Sequence, residues 1–184
     1  MKKGLAALLC WLVLALPAAA GEVTGHFDLM DQNGRPVTDA SFAGRVRVVA
    51  FGYTFCPDVC PTTLSTIAAT LDILGPKAAG VVPLFITVDP RRDTPTHLKD
   101  YMEAFGPSFV GLTGPEDAVA AAAAAFHARY AIQPPADPAD PNTYFVDHSA
   151  GIYVMDRQGA FVAKLGHRAT PDELAERLEE VLRK

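Results

Sequence analysis

Cys56 and Cys60 are separated by three residues, and they are the two cysteines that follow the apolar N-terminal run containing Cys10. Two thiols this close can exchange electrons through a disulfide or supply two sulfur ligands to a soft metal ion. A purely structural disulfide is the weaker interpretation, because closing so short a loop stabilises a fold by only about 2 kcal/mol. The spacing therefore predicts a redox pair or a soft-metal site.

The cysteine pair lies between a predicted buried strand and a predicted helix. Residues 46–51 form a near-continuous apolar run, which is typical of a strand covered on both faces. A helix is predicted over residues 61–74, and Pro61 suits its first position, so we expect Cys60 to be the N-cap. The partial positive charge of a helix N-terminus favours a thiolate, so we expect the pKa of Cys60 to be lowered.

The rest of the chain alternates between predicted strands and helices. Asn33-Gly34 predicts a hairpin after residues 26–30, with positive φ at both residues of the pair. The remaining predicted elements are a buried strand at 82–88, helices starting after Thr94, Gly114 and Thr170, the second of them ending near Arg129, and a hairpin of 151–155 with 160–165. Residues 133–142 are rich in proline and are predicted to form a surface loop within the domain.

These elements predict one α/β domain over residues 21–184, with a mixed central sheet, helices on both faces and an N-terminal β-hairpin. The pattern resembles a thioredoxin-like fold. In such a sheet, the entry to the strand at 151–155 lies beside the turn between the strand at 46–51 and the helix at 61–74, which we call the cysteine turn. This entry carries His148. The chain has four further histidines, which we expect to be solvated: His26, His97, His127 and His167.

Residues 1–20 are predicted to be an export signal. Lys2 and Lys3 precede an apolar run, and residues 18–20 form an A-x-A cleavage site. A short retained membrane anchor is the alternative, since the apolar stretch 4–20 is at the lower limit for a membrane span. Either alternative places the folded domain outside the cytoplasm, and we expect a periplasmic location.

The charge of the chain argues against a nucleic-acid partner. The net charge is −5, and it becomes −7 without residues 1–20, which leaves 14 basic against 21 acidic side chains. Proteins that bind nucleic acids usually carry a basic stripe, and this sequence has none.

Three segments, 52–61 (GYTFCPDVCP), 88–95 (VDPRRDTP) and 147–149 (DHS), resemble the signature of the Sco/SenC family. Members of this family are thioredoxin-fold copper proteins that help to assemble the dinuclear copper centre of cytochrome c oxidase. The resemblance implies Cu(I) or Cu(II) ligation by Cys56, Cys60 and His148. It gives Asp89 and Asp93 no ligand role. Many relatives carry histidine at the position of Phe55.

The resemblance implies a copper metallochaperone and not a turnover enzyme. The expected partner is the copper-accepting subunit of cytochrome c oxidase, with a second periplasmic copper chaperone or a thiol reductant as a further partner. The alternative is a periplasmic thiol–disulfide reductase that keeps the acceptor's cysteines reduced.

Two other thiol chemistries fit the sequence less well. General disulfide oxidoreductases usually have two residues between their cysteines and a cis-proline opposite the pair, yet no proline occurs from 142 to 168. A thiol peroxidase needs threonine three residues before its reactive cysteine, where this chain has Tyr53 and Pro57.

Overall fold

The computed structural model describes residues 22–184, and in that range it contains nine strands and four α-helices. The strands are β1 (Asp28–Asp31), β2 (Pro36–Thr38), β3 (Val46–Gly52), β4 (Val81–Thr87), β5 (Val110–Thr113), β6 (Tyr130–Ile132), β7 (Val146–His148), β8 (Ile152–Met155) and β9 (Phe161–Leu165). The helices are α1 (Val59–Leu74), α2 (Pro95–Glu103), α3 (Glu116–Ala125) and α4 (Pro171–Leu182), and two 3₁₀ turns cover Asp39–Phe42 and Gly75–Gly80. The export signal or anchor predicted for residues 1–20 lies outside the described residues.

A seven-stranded mixed sheet, in the order β2-β1-β5-β4-β3-β8-β9, organises the domain. The parallel strands β3 and β4 are central, and all seven residues of each are buried. Such continuous burial requires cover on both faces, which helices provide. The fold is thioredoxin-like with a mixed sheet, as predicted.

The pairing of the central strands brings three loops to one edge of the sheet. β3 and β4 are parallel in register, so the segments after Gly52 and after Thr87 leave the sheet together. β8 is antiparallel to β3, and Ile152 pairs with Ala50 near the end of β3. The segment that enters β8 therefore reaches the same edge as the cysteine turn.

Local helix-start signals are confirmed. The hydroxyl of Thr94 accepts a hydrogen bond from the His97 N–H at 3.3 Å, ahead of the proline that begins α2. Thr170 and Glu173 form the predicted capping box at α4. The hairpin of β8 and β9 is also as predicted.

The N-terminal hairpin is confirmed, but its turn differs from the prediction. Of the Asn33-Gly34 pair, only Gly34 has a positive φ, of 77°. The Asp31 carboxylate accepts hydrogen bonds from the Asn33 and Arg35 N–H groups at 2.8 and 3.0 Å. The Gly34 N–H also donates to the Asp31 carbonyl at 2.9 Å, so the turn spans residues 31–34 and is not the two-residue turn that an Asn-Gly pair usually forms.

Helix α3 is shorter than predicted, and three short strands were not predicted. The helix ends at Ala125, because Phe126 turns into the core and His127 adopts a φ of 52°. The short strands β5, β6 and β7 have three or four residues each. In residues 22–184, no helix combines the length and apolar character needed to cross a membrane.

Candidate metal centre

The cysteine turn connects the buried end of β3 to α1. The Cys56 N–H donates to the Tyr53 carbonyl at 3.1 Å and closes the turn. The helix begins at Val59, after Asp58, so Cys60 is its second residue and not the predicted N-cap. Pro61 is tolerated at the third position because the first N–H groups of a helix have no partner within the helix.

His148 is carried by a separate two-stranded sheet. It is the last residue of β7, and it pairs with Tyr130 of β6. The Ser149 N–H donates to the Arg129 carbonyl at 2.7 Å, and the Ser149 hydroxyl accepts from the Arg129 N–H at 2.9 Å. This pairing presents the imidazole to the cysteine turn.

The structure brings Cys56, Cys60 and His148 together. His148 Nε2 lies 3.3 Å from the Cys60 sulfur. One ligand atom from each of the three residues lies within 4.8 Å of the others, and both thiols are free. Thiolate sulfur and imidazole nitrogen are donors that suit a soft or borderline metal ion, so the residues present fit such an ion.

Burial sets the protonation of two of these donors. Burial raises the pKa of the Cys60 thiol far above its ordinary value, and the nearby Cys56 and Asp93 add to the rise, while a backbone hydrogen bond at Tyr53 opposes it. The predicted lowering is therefore wrong, because loss of solvent is the largest influence on this thiol and disfavours its charged form. Burial also lowers the pKa of His148 from 6.5. The site without metal holds a Cys60 thiol and a neutral imidazole at neutral pH.

The two cysteines differ in their access to solvent. Cys60 is 3% exposed, whereas Cys56 is half-buried. Phe55, next to Cys56, is 51% exposed and stacks on His97 with ring centroids 5.2 Å apart. A surface cavity of about 340 Å³ opens beside His148. Of the three residues, Cys56 and His148 are therefore the more open to solvent, and Cys60 lies beneath them.

The other four histidines are exposed and do not join the cluster. His26 pairs with the Asp39 carboxylate at 3.1 Å, and His97 stacks on Phe55 as described. Within residues 22–184, the three-residue group at the cysteine turn has no second counterpart.

Asp89 and Asp93 are fully buried beside the site without belonging to the three-residue group. The Asp93 carboxylate accepts from the Thr54 N–H at 3.1 Å, from the Thr54 hydroxyl at 2.6 Å and from the Thr87 hydroxyl at 2.6 Å. Asp93 therefore holds the cysteine turn from the buried side, through its hydrogen bonds to Thr54. Sequence reasoning missed this role, although the segment 88–95 was singled out.

The family model described as SCO1/SenC matches residues 17–183. The SCO2-like protein of Rickettsia felis is 37% identical over 158 residues, covering 86% of this chain and 76% of the relative.

Two solved structures are similar in sequence and fold. ScoI of Bradyrhizobium japonicum with copper bound is 41% identical, with a TM-score of 0.78, and the match covers 86% of this chain and 98% of that one. Yeast Sco1 with copper bound is 34% identical, with a TM-score of 0.81, and the match covers 89% of this chain and 90% of that one.

Proposed function

Because this chain belongs to the SCO1/SenC family, we propose that it is a copper metallochaperone that binds copper through Cys56, Cys60 and His148. This proposal rests on the cluster of two sulfurs and one imidazole nitrogen, whose atoms lie within 4.8 Å of one another. Copper is the proposed ion because the similar ScoI and Sco1 structures are copper-bound. Two thiolates suit Cu(I), and the added imidazole allows Cu(II).

Delivery goes, in this proposal, to the copper-accepting subunit of cytochrome c oxidase during assembly of its dinuclear copper centre. A second periplasmic copper chaperone or a thiol reductant is a further partner in this proposal. The site of action is the periplasm, with residues 1–20 acting as an export signal or as a short anchor. Transfer proceeds by ligand exchange and begins at Cys56, since Cys56 is half-exposed and Cys60 is buried.

The cellular role is tested in cells that lack this protein. Wild-type protein should restore both the activity and the copper content of cytochrome c oxidase. Cys56→Ser should leave both at the level of the deletion, because one of two soft donors is lost. His167→Ala is the matched control for a substitution outside the site, since His167 is exposed, and it should restore the oxidase fully. Restoration by Cys56→Ser would contradict the proposal.

A thiol–disulfide reductase is the second candidate, and the proximity of two free thiols favours it. In this reaction Cys56 and Cys60 form a disulfide, and the two electrons and two protons reduce an acceptor disulfide to two thiols. Metal-free reduced protein is mixed with an oxidised acceptor peptide, and copper-loaded protein with a reduced one. Fast reduction without any copper transfer would assign the protein to this second function.

Copper binding should become tighter as pH rises. The pKa of Cys60 is raised by burial, so the metal-free site holds a thiol at neutral pH, and this thiol must lose its proton when copper binds. Each proton released strengthens the apparent affinity by about tenfold per pH unit. The lowered pKa of His148 means that proton competition at the imidazole enters only below its ordinary value of 6.5.

The proton release is measured by calorimetry at pH 7 in buffers of different ionisation enthalpy, together with Cu(I) affinities across the range from about 6.5 to 8. An affinity that does not change across this range would show that Cys60 is already ionised in the metal-free protein.

A further inference from the structure

Arg92 is a buried cation between the two halves of the metal centre, which are the cysteine turn and the segment that carries His148. Its side chain is only 9% exposed. One end of the guanidinium donates to the carboxylate of Asp89, and Nη1 donates to the Asn142 and Tyr144 carbonyls at 2.9 and 3.0 Å. These two carbonyls belong to the segment that leads directly into β7, the strand that carries His148.

Tyr144 is held at both its backbone and its side chain. Its hydroxyl donates to the second oxygen of the Asp89 carboxylate at 2.7 Å. Its ring lies against the Arg92 guanidinium, with 3.6 Å between the guanidinium carbon and the ring centroid. Asp89 is fully buried, so its charge is balanced by Arg92 and its oxygens are satisfied by Arg92 and Tyr144. The start of the histidine arm, residues 142–148, is therefore tied to residues 89–92.

Arg92 also contacts the cysteine side of the centre. Its guanidinium carbon lies 4.6 Å from the Phe55 ring centroid and 5.6 Å from that of Tyr53. The Tyr53 ring meets the His148 ring edge-on, with centroids 5.9 Å apart and an interplanar angle of 89°. The next residue, Asp93, holds Thr54 of the cysteine turn. One short segment thus supports both halves.

We propose that Arg92 is a positioning residue that holds the histidine arm at the distance from which His148 reaches the cysteine pair. The arm's other backbone hydrogen bonds come from its pairing with β6, a three-residue strand of which two residues are exposed. The loop after β6 adds two more, because the Gln133 and Ala136 N–H groups donate to the Phe145 and Thr143 carbonyls at 2.9 and 2.6 Å. Arg92 is not a ligand, and it acts on copper through His148. The inference rests on the proposed function for its copper readout, and it also has a readout in the metal-free protein.

The test is Arg92→Lys, compared with Arg91→Lys. Lysine keeps the positive charge beside Asp89 but lacks the planar fork that reaches two carbonyls and lies along three rings. Arg91 is the matched control, because it is exposed and pairs with Glu116 at the surface. Arg92→Lys should raise the Cu(II) Kd by about tenfold or more, as expected for a residue that orients a metal ligand. The Cu(I) Kd should change by less than about threefold, because the two cysteines suffice for Cu(I). Arg91→Lys should match wild type in both.

Tyr144→Phe is the second variant, and it removes the hydroxyl bond to Asp89 while keeping the ring on Arg92. It should weaken Cu(II) binding in the same direction with a smaller effect. An equal loss of Cu(I) and Cu(II) affinity in Arg92→Lys would mean general damage to the fold and would overturn the proposal. An unchanged Cu(II) affinity would overturn it as well.

Amide hydrogen exchange of the metal-free protein separates this inference from the proposed function. Arg92→Lys should speed exchange at residues 145–149 and leave β3 and β4 protected, while Arg91→Lys should have no effect. If wild-type protein fails to bind copper, the metallochaperone proposal falls, and the exchange pattern still decides whether Arg92 holds the arm. Unchanged exchange at residues 145–149 would refute the role of Arg92.

Discussion

Replacing His148 with alanine is expected to weaken Cu(II) binding by about a hundredfold or more, which corresponds to about 2.7 kcal/mol. His148 supplies one of three donors and the only nitrogen in the cluster, at 3.3 Å from the Cys60 sulfur. Cu(II) favours imidazole ligands, whereas Cu(I) is held well by two thiolates. The Cu(I) Kd should therefore change far less than the Cu(II) Kd, and the ratio of the two affinities is the informative quantity.

The measurement for His148→Ala combines competition titrations in both oxidation states with the thiolate-to-copper absorption of the Cu(II) protein. His167→Ala is the control, because it removes an exposed imidazole from the loop before α4, and it should behave as wild type. An unchanged Cu(II) affinity and absorption in His148→Ala would exclude the three-ligand site.

Replacing Gly52 with alanine is expected to damage both the fold and the metal centre. A Cβ atom at this position would lie 2.5 Å from the Cys60 sulfur and 2.8 Å from an edge carbon of the Phe85 ring. Neither neighbour has free space, since Cys60 is 3% exposed and Phe85 is 1% exposed. The backbone of Gly52 is itself held by pairing with Thr87. Overpacking of this kind lowers the free energy of unfolding by about 1–3 kcal/mol.

Copper binding by Gly52→Ala should fall in both oxidation states, because the sulfur that must move is a proposed ligand. Gly166→Ala is the matched control, since a Cβ there meets nothing within 4 Å and its φ is not in the left-handed region. Its stability should stay within about 0.5 kcal/mol of wild type. Urea unfolding and Cu(I) titration check both variants. If Gly52→Ala proved as stable as Gly166→Ala with unchanged copper affinity, the packing of Cys60 against β3 would be wrong.

The two variants probe different parts of one site. His148→Ala removes a donor without disturbing the cysteine turn, so it should separate the two copper oxidation states. Gly52→Ala displaces a donor from within the core, so it should affect both. Together with Arg92→Lys they distinguish a ligand, the packing beneath a ligand and the support of a ligand-bearing arm.

Much of the fold follows from local sequence. The caps at Thr94 and Thr170 depend on residues within one helical turn, and the near-continuous apolar runs at 46–51 and 82–88 match β3 and β4 to within one residue at each end. Local patterns of this kind act over short distances, and they predicted these elements well. The close spacing of Cys56 and Cys60 likewise predicted a redox pair or a soft-metal site without any knowledge of the fold.

Short strands such as β6 and β7 could not be predicted in the same way. They have three residues each, and their pairing joins Tyr130 to His148 across a proline-rich loop. A segment of three residues carries too little periodicity to indicate a strand by itself. It becomes one because the tertiary structure supplies a partner.

The sequence by itself determined that two thiols lie at the junction of a buried strand and a helix, since spacing and apolar patterning act locally. Only the tertiary structure decided the protonation of Cys60, because the burial that raises its pKa depends on all the elements packed around it. The sequence predicted that His148 lies beside the cysteine turn, and the tertiary structure set the distance, 3.3 Å to a cysteine 88 positions away in the chain. In our proposal Arg92 holds the arm that carries His148, and its contacts with the carbonyls of that arm lie 50 and 52 positions away in the chain. Contacts at such separations are set by strand order and register, which no local pattern encodes.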